Sequence, residues 1–157
     1  MSIDVAKLIA QAQEKGVTIA TAESCTGGMI AAALTDIPGS SAVVDRGFVT
    51  YSNNAKMQML DVRAKTLEAV GAVSEEVAAE MAEGALRNAA VTLAVSVTGI
   101  AGPGGSDFKP EGRVCFGLAR SGRKTSTETV DFGALGRANV REAARDHALS
   151  LLMKAVS

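Results

Sequence analysis

The sequence predicts a single α/β domain over residues 1–157, three-layer-like, with a mixed β-sheet covered by helices. Three observations lead there. Apolar residues switch repeatedly between a helical period and strand-like runs, short β-branched stretches alternate with capped amphipathic ones, and two late strands flank a tight glycine turn. A chain of 157 residues matches one domain of ordinary size.

Each element has a local cause. Ile3, Val5, Leu8, Ile9 and Ala12 fall near a helical period over Ile3–Glu14, and Gly16 is a natural stop just beyond. Val17–Ala22 is β-branched enough for a strand, and the turn-prone Ser24–Gly28 opens a helix over Met29–Leu34. After the turn at Asp36–Ser41, Asp45–Tyr51 predicts a second strand. Ser52 or Asn53 caps a helix running to Leu60, Ala64–Ala69 is a further helix, and Ser74 caps the amphipathic run Glu75–Asn88. Val91–Val97 is nearly continuous in apolar and β-branched residues, the mark of a central strand buried on both faces. Thr98–Gly112 is a Gly-rich loop. Arg113–Ala119 and Lys124–Phe132 form a hairpin across Ser121-Gly122-Arg123, and a helix from Arg137 to Val156 closes the chain.

Composition narrows the partners. The net charge is -1, and Lys and Arg are spread along the chain, so there is no basic stripe to neutralise a nucleic-acid backbone. One Tyr and no Trp leave no aromatic platform for stacking single-stranded bases. Met1–Val5 has no basic lead and no later run approaches the ~20 apolar residues of a membrane span, which predicts no membrane association and a cytoplasmic location. Cys25 and Cys115 are too few for a disulfide framework, and with one His they offer no metal-ligand spacing, so neither metal nor cofactor is expected. A small, apolar chain of this kind suits a homo-oligomer.

Three polar or Gly-rich loops each follow a predicted strand: Glu23–Gly28, Tyr51–Lys56 and Thr98–Gly105. In open α/β sheets, ligands bind beyond the carboxyl ends of strands, so the three can meet at one crevice. Ser24, Cys25 and Thr26 supply adjacent candidate nucleophiles, and the first N–H groups of the next helix can hold an anion. The same hydroxyls would also serve as simple helix caps. A serine hydroxyl needs a base. The one histidine, His147, lies in the last helix without a nucleophile elbow, and it reads as an unexceptional helix residue. Lys56 is the better base if burial lowers its pKa, with Tyr51 to relay or orient the proton; the plain alternative is a solvated helix lysine. Glu23 either takes part in catalysis, orients the loop, or pairs with a distant Arg. Neither a triphosphate P-loop nor a dinucleotide fingerprint is present.

Thr21-Ala22-Glu23-Ser24-Cys25-Thr26-Gly27-Gly28, the stretch from Gly47 to Lys56, Gly71-Ala72-Val73-Ser74-Glu75 and Thr98–Pro103 together resemble the CinA carboxy-terminal domain family over nearly the whole chain. The resemblance implies a nicotinamide-nucleotide amidohydrolase, converting nicotinamide mononucleotide and water to nicotinate mononucleotide and ammonia in pyridine nucleotide salvage. It places the nucleophile on Ser24 and its partners on Lys56 and Tyr51. Thr26, Gly27, Gly28, Thr98, Gly99, Ala101 and Gly102 would then line a nucleotide pocket, with Arg46, Arg137 or Arg141 on the phosphate. Longer relatives carry an additional amino-terminal domain that this chain is expected to lack. Two stretches depart from the family pattern: Ala134-Leu135-Gly136-Arg137 stands for Gly-Asp-Arg, and Lys109-Pro110-Glu111-Gly112 for Lys-Pro-Val-Gly. Other classes consistent with the loops are a nucleotide-binding module without turnover, and a phosphatase or pyrophosphatase on a related nucleotide. Missing carboxylate clusters for Mg²⁺ count against the last.

Overall fold

Five strands form one sheet: β1 (Ile19–Glu23), β2 (Val44–Val49), β3 (Leu93–Gly99), β4 (Arg113–Arg120) and β5 (Ser126–Asp131), in the order β2-β1-β3-β4-β5. β1 runs parallel to both β2 and β3, while β4 and β5 are antiparallel, so the sheet is mixed. The computed structural model describes residues 3–106 and 108–157. Met1 and Ser2 of the amino-terminal stretch and Asp107 of the Gly-rich loop lie outside the described residues.

Among the described residues, six α-helices cover the sheet: α1 (Val5–Glu14), α2 (Met29–Thr35), α3 (Asn53–Leu60), α4 (Ala64–Val70), α5 (Glu75–Ala89) and α6 (Arg137–Val156). Alternation along β1 sends Ile19 into a core with Leu8, Ile30 and Leu149 from α1, α2 and α6. Ala20 and Ala22 join the opposite core with Leu60, Val77 and Met81 from α3 and α5. The result is three layers, with β1 and β3 buried on both faces. No helix among the described residues is long and apolar enough to cross a membrane.

Helix starts follow the expected chemistry. Asp4 caps α1, Ser52 rather than Asn53 caps α3, and Ser74 caps α5, each side-chain oxygen accepting an N–H three residues on. α5 approaches its neighbours closely. Gly84 lies against the carbonyl of Leu60, Gly117 of β4 lies against Ala78, and the Ser96 hydroxyl donates to Ala78 O at 2.6 Å. Several boundaries move by two residues: α1 begins at Val5 and not Ile3, β2 ends at Val49 and not Tyr51, and β5 begins at Ser126 and not Lys124. β1 and β3 begin two residues later than expected, at Ile19 and Leu93, where Thr18 and Thr92 exchange backbone-to-hydroxyl hydrogen bonds beside the ladder.

Because β1, β2 and β3 are parallel, their carboxyl ends share one edge of the sheet. The three loops singled out in the sequence leave from that edge.

Candidate active site

Ser24 is the first residue beyond β1 and is fixed by the strands on both sides. Its N–H donates to Val97 O of β3 at 3.0 Å, while Glu23 O accepts the N–H of Thr50, just past β2, at 2.9 Å. Glu23, 1% exposed, turns toward the start of α2. Its Oε1 accepts from the Thr26 hydroxyl at 2.6 Å and from the N–H groups of Gly28 and Ile30 at 3.2 and 3.0 Å; Oε2 accepts from Ala31 N–H at 3.0 Å. This corrects the expectation of a ligand anion at the start of α2, and of the readings open for Glu23 it leaves the one in which the carboxylate orients the loop. The N-terminal donors of α2 are already occupied and do not hold a ligand anion, and Glu23 has no arginine partner: it is the cap of α2 itself.

Lys56 lies in the first turn of α3 and is 2% exposed, one of the largest fully buried side chains. Its Nζ lies 3.2 Å from Ser24 Oγ, 3.1 Å from Thr50 O and 3.4 Å from Tyr51 O. Burial holds the ammonium pKa below its usual value. A charged Nζ donates to all three oxygens. Once neutral, its two N–H bonds serve the carbonyls and its lone pair faces the Ser24 hydroxyl, which then donates. The arrangement sets a buried amine within hydrogen-bond reach of a serine hydroxyl. Cys25 next door is less suited, since burial pushes its thiol up to about 11.

These groups open into a cavity of about 380 Å³, walled by Ser24 and Cys25, by Tyr51, Asn53 and Lys56, by Ala72 and Val73, and by the loop 98–106, with Arg137 at its rim. The loop is pinned from outside. The Thr98 hydroxyl donates to Ala72 O at 3.0 Å, and Lys109 Nζ donates to Val70 O and Val73 O at 2.6 and 2.5 Å.

Of the residues expected in a pocket, Ser24, Tyr51, Lys56, Thr98, Gly99, Ala101 and Gly102 meet in this cavity. Thr26, Gly27, Gly28, Arg46 and Arg141 are not among its lining residues. Arg46 projects from edge strand β2 and pairs with Asp45. Arg141 holds the Ser24–Gly28 loop from behind, its Nε donating to Cys25 O at 3.0 Å and its Nη2 to Thr26 O at 3.4 Å. His147 contacts Glu128 and stacks on Phe116, ring centroids 4.5 Å apart, in a separate cleft, so no His-based triad forms. The Tyr51 hydroxyl accepts from Arg137 Nη2 at 2.9 Å, and Arg137 Nη1 donates to Gly102 O at 2.8 Å. Among the described residues, no group of three or more His, Cys, Asp or Glu could hold a metal ion.

The sequence offered Asn53 only as a helix cap within the Tyr51–Lys56 loop, and gave Val73 no role of its own. Val73 lies in one of the resembling motifs, but its apolar side chain carries no chemical signal.

The profile of the CinA C-terminal domain matches residues 4–156. The chain belongs to the CinA C-terminal domain family. A CinA-like protein of Chlorobium phaeobacteroides (strain BS1) is 60% identical over 126 residues, 78% of this chain and 30% of that protein. The chain thus spans about 30% of the length of that relative. Nicotinamide-nucleotide amidohydrolase PncC of Escherichia coli (strain K12) is 52% identical over 139 residues, 88% of this chain and 84% of that protein. The crystal structure of competence/damage inducible protein CihA from Agrobacterium tumefaciens superposes with a TM-score of 0.89 at 46% identity, covering 99% of each chain. A CinA superfamily protein from Escherichia coli gives 0.91 at 38%, covering 96% and 87%.

Within this CinA domain, one departure from the family pattern packs behind the cavity loop and the other ends at Arg137, which lines the cavity. Glu111 Oε1 accepts the Gly104 N–H at 2.6 Å, and Gly102 packs on the same side chain. The stretch 134–137 delivers Arg137 to the rim regardless of its altered sequence.

Proposed function

We propose that this domain is a nicotinamide-nucleotide amidohydrolase of pyridine nucleotide salvage, acting through Ser24 and Lys56. The observation that carries the reading is the 3.2 Å approach of Lys56 Nζ to Ser24 Oγ at a cavity wall. Sequence similarity to the PncC enzymes supplies the substrate class.

In this reading, neutral Lys56 takes the proton of Ser24 as Oγ attacks the carboxamide carbon of nicotinamide mononucleotide. The carbonyl π-pair moves to oxygen, giving a tetrahedral oxyanion. Among the described residues, the N–H groups of Cys25 and Thr26 make no backbone hydrogen bond, and they are the donors next to Ser24 for that oxyanion. Collapse breaks the C–N bond. Lys56 returns its proton to the leaving nitrogen, ammonia departs, and a nicotinoyl ester remains on Ser24. Water, deprotonated by Lys56, attacks that ester, and the proton passes back to Ser24 Oγ as nicotinate mononucleotide leaves. The phosphate is assigned to the rim at Arg137, since Arg46 and Arg141 do not line the cavity.

The test is ammonia release from nicotinamide mononucleotide by the purified chain, with and without EDTA. Release that is insensitive to EDTA and abolished in Ser24→Ala supports the reading. Equal release by Ser24→Ala and wild type overturns it, and binding without release selects the nucleotide-binding module.

A further inference from the structure

Tyr51 and Lys56 share one loop-and-helix segment but sit in opposite environments. Tyr51 is 63% exposed and Lys56 is 2% exposed. What Tyr51 offers to Lys56 is its backbone carbonyl, at 3.4 Å from Nζ. Its hydroxyl instead accepts from Arg137 Nη2 at 2.9 Å, and the other arm of that guanidinium is fixed on Gly102 O at 2.8 Å. The phenol oxygen thus takes its hydrogen bond from Arg137, and neither Lys56 Nζ nor Ser24 Oγ is hydrogen-bonded to it.

We infer that Tyr51 is a positioning residue: its hydroxyl and Gly102 O hold the Arg137 guanidinium at the cavity rim for the substrate phosphomonoester, and the hydroxyl moves no proton between Ser24 and Lys56. This inference rests on the amidohydrolase reading above. Two fixed contacts on one guanidinium restrict a long, flexible side chain before substrate arrives, so less freedom is lost on binding. Arg137 is also the first residue of α6, whose N-terminal turn has no side-chain cap, so the helix adds positive potential at the same place. An anion gains from both. The carboxamide, at Ser24 and Lys56, gains from neither.

Kinetics with two substrates separate positioning from proton transfer. Nicotinamide mononucleotide carries the phosphomonoester and nicotinamide riboside lacks it. Tyr51→Phe, which removes one oxygen, is expected to raise KM for the mononucleotide about ten-fold with kcat changed less than about three-fold. The mononucleotide-to-riboside ratio of kcat/KM should fall by the same factor, and the ascending limb of the pH profile should stay in place. Arg137→Ala should lower that ratio further. The double variant should be no worse than Arg137→Ala alone, because the hydroxyl acts through the guanidinium. A hundred-fold loss of kcat at unchanged KM, a displaced pH limb, or additive losses in the double variant would overturn the inference. If wild type releases no ammonia, or if Ser24→Ala releases as much, the amidohydrolase reading has failed. Calorimetry with nicotinamide mononucleotide then decides the Tyr51 inference alone: about ten-fold weaker binding by Tyr51→Phe upholds it, and equal binding overturns it.

Discussion

Lys56 Nζ and Ser24 Oγ stand 3.2 Å apart across the ends of two parallel strands, and the lysine is the more deeply buried of the two. The pair exists because β1 and β2 are neighbours in parallel register. Ser24 follows the first strand directly, while Lys56 follows the second by one loop and one helical turn. Their contact joins positions 32 residues apart.

In the proposed mechanism Lys56 is a buried base, and this sets the pH dependence. Burial lowers the Lys56 pKa below its usual 10.5, so kcat/KM should rise with pH along a limb that begins below that value and reports the neutral amine. Lys56→Arg keeps the length and the charge but has no neutral form, and activity should fall by about 10³-fold at every pH. The stability sign follows from linkage. Between the depressed folded pKa and the ordinary unfolded one, the unfolded chain binds more protons, so stability rises with pH through that window, and the burial penalty is fully present below it. Urea midpoints measured across the window should climb in wild type and climb less in Lys56→Met.

Glu23 bears the nucleophile loop. Replacing it by Ala leaves the Thr26 hydroxyl and the N–H groups of Gly28, Ile30 and Ala31 without their acceptor, three of these four donors being buried or on the nucleophile turn. Such losses cost about 1–3 kcal/mol for a single buried group, so Glu23→Ala should lower unfolding free energy by roughly 3 kcal/mol or more. Turnover of the folded fraction should fall as well, since Ser24 shares the turn. Denaturation midpoints alongside activity per folded molecule check both.

How much of this was legible beforehand varies with the range of the interaction. The capped helices, the buried central strand, the hairpin and the convergence of three loops were all readable, because each rests on residues close in sequence. The α6 boundaries, Arg137 and Val156, came out as expected for the same reason. Side chains that serve distant backbone were not readable. Arg141 reaches Cys25 O across 116 residues, and Lys109 reaches Val70 O across 39; an arginine or lysine in isolation looks like a solvated charge or a phosphate ligand. Glu23 was ambiguous because only the fold shows that β1 aims it at the start of α2. Arg46 lies away from the cavity, and nothing local in the sequence marks β2 as the sheet edge.

Gly84 tests the packing of α5. A Cβ there would sit 1.9 Å from Leu60 O, a backbone atom at the end of α3. Helix propensity alone favours alanine by about 1 kcal/mol. Overpacking against a carbonyl that cannot swing aside costs more, about 3 kcal/mol. Gly84→Ala should therefore destabilise by about 2 kcal/mol, read as a lower urea midpoint at unchanged slope. Because Leu60 ends the helix that carries Lys56, a smaller kcat should accompany it.

Three adjacent residues offer a nucleophilic atom, and their surroundings sort them. The Thr26 hydroxyl is committed to Glu23 at 2.6 Å. The Cys25 thiol, pushed up to about 11 by burial, is ionised at neutral pH in only about one molecule in 10⁴. Ser24 is the one with the Lys56 amine in contact. Ser24→Ala should therefore abolish turnover, Cys25→Ala should reduce it by less than about ten-fold, and Thr26→Val should act chiefly on stability. Iodoacetamide at pH 7 should leave the activity standing for far longer than it takes to alkylate an exposed thiol. Rapid inactivation with stoichiometric labelling of Cys25, together with an active Ser24→Ala variant, would move the nucleophile one residue along the chain.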